Sequence, residues 1–188
     1  MKIRITLTED MLGTVPKDKE VYKTYIETKK PDDNGEDESQ TIEEIEEKGW
    51  TGFMSDENGL FVWDYYVKGF LKHAGNVLKE TVKAKALRSK IDDFVFVFPR
   101  RIYFGKNQPD GVFERPLRAQ TMRGPRVTLA RSDYISAGSQ FEFEIKLYPP
   151  HKEITGELIK TLLDYGQYMG FGQFRNGSFG RFSYEIVE

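Results

Sequence analysis

Residues 141–186 read FEFEIKLYPPHKEITGELIKTLLDYGQYMGFGQFRNGSFGRFSYEI, and the change of period along this stretch sets the expected fold. Phe141, Phe143, Ile145 and Leu147 alternate with Glu142, Glu144 and Lys146, and a period of two puts one set of side chains on each face of a strand. Pro149 and Pro150 end it. Ile154, Leu158, Leu162, Tyr165 and Met169 then recur at steps of four or three, which predicts a helix with one apolar stripe. A loop with Gly170, Gly172, Gly177 and Gly180 follows, and Phe182, Tyr184 and Ile186 alternate again as a last strand.

Toward the N-terminus the same logic adds more elements. Ile3, Ile5 and Leu7 alternate with Arg4 and Thr6, a half-buried strand. After the Asn58-Gly59 turn signal, Val67, Phe70, Leu71, Ala74 and Leu78 predict a helix from Asp64 to about Glu80, with Asp64 placed to cap its first turn. Short helices are expected around Val21–Ile26 and around Ile42 and Ile45. The run FVFVF, Phe94–Phe98, predicts a strand covered on both faces and central in its sheet. Residues 102–104 and 112–118 predict hairpin strands, with turns near Asp110-Gly111 and Gly124-Pro125. Stripped of insertions, the order is β-α-β-β-α-β. The expected fold is therefore α+β and ferredoxin-like (RRM-like), with two helices on one face of an antiparallel sheet and the other face available. One domain over residues 1–188 is expected, with an acidic insertion at 27–57 and a basic hairpin insertion at 100–131.

Composition narrows the chemistry. A chain of 188 residues with 38% hydrophobic content leaves little room for two independent cores. The 28 Lys and Arg nearly balance the 30 Asp and Glu, so no global charge draws it to nucleic acid or an acidic membrane. The charge is blocked, however. Glu27–Glu57 holds 12 acidic residues against three lysines, whereas Tyr65–Lys90 and Arg100–Arg131 each carry a net charge of +6. Residues 31–40, PDDNGEDESQ, read as a solvated loop; an acidic arm lying over a basic groove is the alternative. With no cysteine and only His73 and His151, disulfides, thiolate zinc sites, thiol nucleophiles and histidine-only metal centres are excluded. No cofactor or bound metal is expected. The N-terminus lacks a secretory pattern and no apolar run approaches the roughly 20 residues that span a bilayer, so a soluble protein of the bacterial cytoplasm, without a membrane partner, is expected.

Two basic segments carry the functional argument. Gly170 and Gly172 form a G-x-G, but it follows a helix and precedes a strand, the reverse of a dinucleotide fingerprint. Glycines at 170, 172, 177 and 180 permit positive φ and close backbone approach, so amides can face an oxyanion or a partner chain can lie against the loop. Arg175 and Arg181 add charge, and Phe171, Phe174 and Phe179 offer faces on which bases could stack; the alternative is that these rings plug the core. In ERPLRAQTMRGPRVTLAR, Glu114–Arg131, Arg115, Arg118, Arg123, Arg126 and Arg131 carry the planar donor fork that suits phosphate and base edges. An ordinary surface hairpin neutralised by the acidic block is the alternative here.

GFGQFRNGSFGRF, Gly170–Phe182, resembles the C-terminal glycine-rich signature of the RAMP superfamily of CRISPR-associated proteins. Tyr66–Lys72 (YVKGFLK) is similar to the family's first-helix motif, and Ser136–Ile145 (SAGSQFEFEI) to the turn and strand before its last helix. Together these cover about 75 of the 188 residues, in the family's order. The chain departs in having Asp64-Tyr65-Tyr66 where the family often has serines, and in its acidic block. In overall texture it is also similar to small proteins borne by phages and prophages of Gram-positive bacteria.

The resemblance implies RNA binding, with Lys68, Lys72 and the glycine loop against the phosphate backbone. It also implies a place in a CRISPR or other defence complex, and copies of the chain tiling along a strand. The leading expectation is a non-catalytic RNA-binding protein contacting phosphates through the first helix, the basic hairpin (Arg115, Arg118, Arg123, Arg126) and Gly170, Gly172, Phe174, Arg175 and Arg181. One alternative is a phage-encoded anti-defence protein that blocks a host immune complex or sequesters a nucleotide signal. Another is a metal-dependent endoribonuclease using Asp56 or Asp64, with His73 as a candidate general acid or base, as in some RAMP enzymes. Asp64 serves equally as a helix cap and His73 as a surface residue. No G-x-S-x-G, P-loop or H-E-x-x-H occurs, so hydrolase and NTPase classes have no local support.

Overall fold

Antiparallel pairing sets Ile3 opposite Phe143 and Ile186, and Ile5 opposite Phe141 and Tyr184, so the period of two in each strand falls into register on one apolar face. These strands are β1 (Lys2–Leu7), β11 (Gln140–Leu147) and β12 (Phe182–Ile186). With β7 (Val95–Phe98) beyond β11 they form a four-stranded sheet of order β12-β1-β11-β7. The computed structural model describes residues 1–18, 49–121 and 124–187, and side chains for these except 117–121, 124–126 and 128. On the other face of the sheet, Arg4 bridges Glu142 and Glu185 at 2.7 and 2.9 Å, and Lys2 pairs with Glu142 at 2.9 Å. Such solvent-exposed pairs contribute little stability.

Three helices supply the rest of the core. They are α1 (Asp64–Leu78), α2 (Leu87–Phe94) and α3 (Gly156–Asp164). Val67, Phe70, Leu71 and Ala74 of α1, Leu87 and Ile91 of α2, and Leu158, Ile159, Leu162 and Leu163 of α3 join the inward residues of the sheet in one cluster. Each such large apolar side chain contributes about 1.5–3 kcal/mol on burial. Thr155 caps α3, its hydroxyl accepting the Leu158 N–H at 3.2 Å, whereas the Asp64 carboxylate accepts the adjacent Tyr65 N–H at 2.8 Å and, among the described residues, α1 has no side-chain cap. The architecture is α+β. Among the described residues no helix is long and apolar enough to cross a membrane.

Two smaller sheets complete the described chain. β5 (Met54–Asp56), β6 (Gly59–Trp63) and β8 (Arg101–Tyr103) form an antiparallel three-stranded sheet. β2 (Met11–Leu12), β3 (Val15–Pro16) and β4 (Thr51–Gly52) join a long hairpin of β9 (Gly111–Thr121) and β10 (Gly124–Ile135).

Several expectations change. The basic hairpin pairs β9 with β10, from Gly111–Tyr134 to Thr121–Gly124, while residues 101–103 belong to the three-stranded sheet. Strand β7 is an edge strand, not a central one: Val95 and Val97 point inward, but Phe96 and Phe98 are 39% and 45% exposed. A wholly apolar run carries no alternation from which to read the covered face, so the register with β11 decides it. Phe94 closes α2, which the sequence reading omitted. Within the block expected to be an acidic insertion, residues 51–52 and 54–56 are strands; the helices expected near Val21–Ile26 and Ile42–Ile45, and most of the acidic residues, lie outside the described residues.

Candidate nucleic-acid interface

Gly75 lets α2 pack closely on α1, since a Cβ there would sit 2.5 Å from Ile91 Cδ1. The neighbouring face of α1 presents Tyr65, Lys68, Gly69, Lys72, His73 and Asn76, which with Arg88 and Asp92 of α2 line a cavity of about 350 Å³. Lys68 Nζ donates to the Asp92 carbonyl at 2.7 Å, and Lys72 Nζ to the Asp92 carboxylate at 2.8 Å. The hydrogen bond from Lys72, helped by the charge of Lys68, holds the Asp92 carboxyl below its ordinary value against some opposing burial. The two lysines expected to be available to a ligand are thus partly neutralised, though Lys68, Lys72 and Arg88 still outnumber Asp92. Burial, and then the charge of Arg175, push His73 below its ordinary value. Its Nε2 is buried with no hydrogen-bond partner among the described residues.

Ring packing on Tyr66 and Phe70 of α1 sets the glycine-rich loop against the same helix. Phe171 is buried, stacked on Phe182 with centroids 4.5 Å apart, and 4.9 Å from Phe70 of α1. The loop is therefore anchored by the ring-plugs-core alternative at Phe171. Its glycines answer to the chain's own backbone. Gly180 has φ +71, and a Cβ there would lie 1.9 Å from the Phe171 carbonyl oxygen; Gly172 has φ +83 and abuts the Leu12 carbonyl. Gly170 packs on Gly180 in the same way. Hydrogen bonds from Phe171 N–H to Gly180 O (2.9 Å) and from Gly180 N–H to Asp10 O (2.7 Å) close the loop.

Phe174, with φ +54, leaves the core and is 40% exposed. The Arg115 guanidinium lies 3.9 Å from its ring centroid, while Phe179 bridges Phe174 and Phe113. The base of the basic hairpin thus docks on the glycine loop. Burial lowers the Arg115 pKa. Arg131 Nε sits 2.8 Å from Glu114. Arg118 and Arg126 lie in the paired strands, but their side chains, and Arg123 altogether, are outside the described residues. Arg181 Nε donates to the Tyr168 carbonyl at 3.1 Å; neither Arg175 nor Arg181 pairs with a carboxylate among the described residues. Beneath this junction Gln173 Oε1 accepts from Ser132 (2.8 Å) and Thr51 (3.1 Å), and buried Asp133 accepts from Trp50 Nε1 (2.8 Å) and pairs with Lys17 (3.0 Å). This satisfied polar network fixes the loop to the hairpin base.

The acidic candidates are engaged elsewhere. Asp56 accepts from Asn58 N–H, Tyr103 hydroxyl and Arg101 at 2.7 to 2.9 Å. Burial alone would raise its pKa, but these three partners hold it below the ordinary value. Among the described residues no group of three His, Asp or Glu could hold a metal ion. The structure therefore brings together Lys68, Lys72 and His73 with the Arg175 loop, and Arg115 with Phe174. It adds Arg88, Asp92, Tyr65 and Asn76, which sequence reasoning missed. Leu87 and Ile91, four apart, are the signal that could have revealed α2.

No protein-family model matches the sequence, and no curated protein matches it. Solved structures do, 80 chains among them. A chain of the type III-B Cmr-beta assembly bound to cognate target RNA, solved by cryo-electron microscopy, superimposes with a TM-score of 0.53 at 11% identity, covering 100% of this chain and 58% of that one. The present chain thus spans little more than half of that chain's length. A chain of a type IV-B CRISPR complex gives a TM-score of 0.48 at 8% identity, covering 99% and 89%. At 11% identity the likeness to the Cmr-beta chain is one of fold.

Proposed function

We propose that the chain is a non-catalytic RNA-binding protein on a ferredoxin-like, RAMP-type frame, holding the phosphate backbone of single-stranded RNA along the α1–α2 groove, the glycine loop and the arginine hairpin. The observation that carries it is the convergence of three separately encoded basic segments. Phe171 packs the loop onto Tyr66 and Phe70 of α1, and Arg115 of the hairpin lies against Phe174 of the loop. Lys68, Lys72 and Arg88 line the groove, and in this reading Arg115, Arg175 and Arg181 extend the phosphate path beyond it. The strand order β12-β1-β11-β7, with strands one and four of the β-α-β-β-α-β succession adjacent, supports the ferredoxin-like assignment, and the fold shared with the chain of the RNA-bound Cmr-beta assembly supports the ligand class. A role within a defence complex, or as copies along one RNA, follows as part of the proposal.

Gly69 supports the same groove. It sits inside α1, exposed, and a Cβ there would meet nothing within 4 Å, so internal packing does not require it. An interior helical glycine costs roughly 0.5–1 kcal/mol relative to alanine. A ligand lying on the bare backbone at the groove floor would give it a purpose. The test is a salt titration of single-stranded RNA binding: affinity should fall steeply with salt as phosphate contacts exchange with counterions, and Arg175→Ala with Arg181→Ala should weaken it with the fold intact. A flat salt dependence, or absence of binding at low salt, would count against the proposal.

A further inference from the structure

The three-stranded sheet turns Leu60, Val62 and Ile102 into the core and carries rings and arginines on its outer side. Register sets Phe61 opposite Tyr103 and Trp63 opposite Arg101, so these four side chains share that face. Trp63 meets Phe61 edge-on, centroids 5.1 Å apart at 88°, and helps to bury it. The next ring is Tyr65, 17° from parallel to Trp63 with centroids 6.4 Å apart, and 64% exposed. The guanidinium groups of Arg100 and Arg101 lie 5.4 and 5.5 Å from the Trp63 ring centroid. Arg101 also pairs with Asp56 at 2.7 Å; exposed Arg100 pairs with no carboxylate among the described residues.

Successive near-parallel rings with cations beside them are what an unpaired nucleic-acid strand needs: faces for its bases and charge for its phosphates. Tyr65 also lines the α1–α2 groove, so the aromatic face runs directly into Lys68, Lys72 and Arg88. We infer that Tyr65, backed by Trp63 and flanked by Arg100, forms a nucleobase-stacking platform that engages bases of a single-stranded RNA where it leaves the phosphate-binding groove. This rests on the RNA-binding proposal and deepens it, because it adds contacts to bases where the groove contacts only the backbone. RNA is favoured over a protein partner by continuity: the platform shares Tyr65 with the groove of Lys68, Lys72 and Arg88, so one strand can meet both.

The full chain is titrated at low salt with oligouridylate and with an abasic ribose-phosphate oligomer of equal length, following labelled-oligomer anisotropy and tryptophan emission. Stacking predicts that oligouridylate binds about tenfold tighter or more, the weight of one to two stacked bases, and quenches tryptophan emission while the abasic oligomer does not. Tyr65→Ser should shrink the gap several-fold, oligouridylate affinity falling by more than abasic affinity, and Trp63→Leu should abolish the quench. Tyr65 is 64% exposed and outside the core cluster, so its replacement spares the core and decides the matter if Trp63→Leu fails to fold. Equal affinities for the two oligomers, or an unchanged gap in Tyr65→Ser, overturn the platform while leaving the phosphate groove standing. Failure of both oligomers to bind overturns the groove and the platform together.

Discussion

The Arg115 guanidinium lies 3.9 Å from the centroid of the Phe174 ring, joining the basic hairpin to the glycine loop across 59 residues of sequence. Because the contact is partly withdrawn from water, its electrostatic attraction is less screened than at an open surface. A double-mutant cycle with Arg115→Met and Phe174→Ala, read from denaturant midpoints, should show a coupling of about 0.5–2 kcal/mol. Additive effects would mean that the Phe113–Phe179 contact and the Gln173 network seat the hairpin without help from this pair.

Two glycine substitutions should move in opposite directions. Gly180→Ala adds a Cβ 1.9 Å from a backbone oxygen at φ +71 and should cost at least about 3 kcal/mol through left-handed strain plus overlap. Gly69→Ala meets no neighbour and should stabilise by roughly 0.5–1 kcal/mol while weakening RNA binding. Thermal melts and RNA titrations on the same preparations check both, and a stabilised Gly69→Ala with undiminished affinity would remove the ligand from the groove floor.

Asp92→Asn should strengthen RNA binding several-fold. The Asp92 carboxylate neutralises part of the charge of Lys68 and Lys72; its removal releases Lys72, leaves Lys68 on the Asp92 carbonyl with its charge uncompensated, and steepens the salt dependence. The folded state should lose little, since exposed ion pairs contribute little to it. Isothermal binding at two salt concentrations provides the measurement, with weaker binding of the variant as the contrary result.

Stability should fall on the acid side of pH 6.5, the ordinary histidine value, through His73. Its folded pKa lies lower, so the unfolded chain takes up the proton first as pH drops, and the loss continues until the folded imidazole also titrates. Burial is the main cause and the charge of Arg175 the second, so Arg175→Ala should reduce the effect and His73→Asn abolish it. Denaturation midpoints between pH 8 and pH 5 give the readout. The carboxylates of Asp56, Asp92 and Asp110, all held below the ordinary value of 3.8, contribute their own losses as pH falls toward and below that value.

Local periodicity made much of the framework legible. The alternation in residues 2–7, 141–147 and 182–186, the stripes of α1 and α3, and the glycine-rich connection are properties of side chains a few residues apart, and each one settled its own element because a strand or helix presents neighbours at known angles. Tertiary structure alone determined whether β7 lay at the edge or the centre, because FVFVF has no polar face to declare itself. It also determined that Asp92 would restrain Lys68 and Lys72, that Phe171 would enter the core while Phe174 received Arg115, and that Trp63, Tyr65 and Arg100 would meet on one surface. Those outcomes depend on pairing and packing between residues tens of positions apart, where the same side chain can satisfy several partners and only the closed core selects among them.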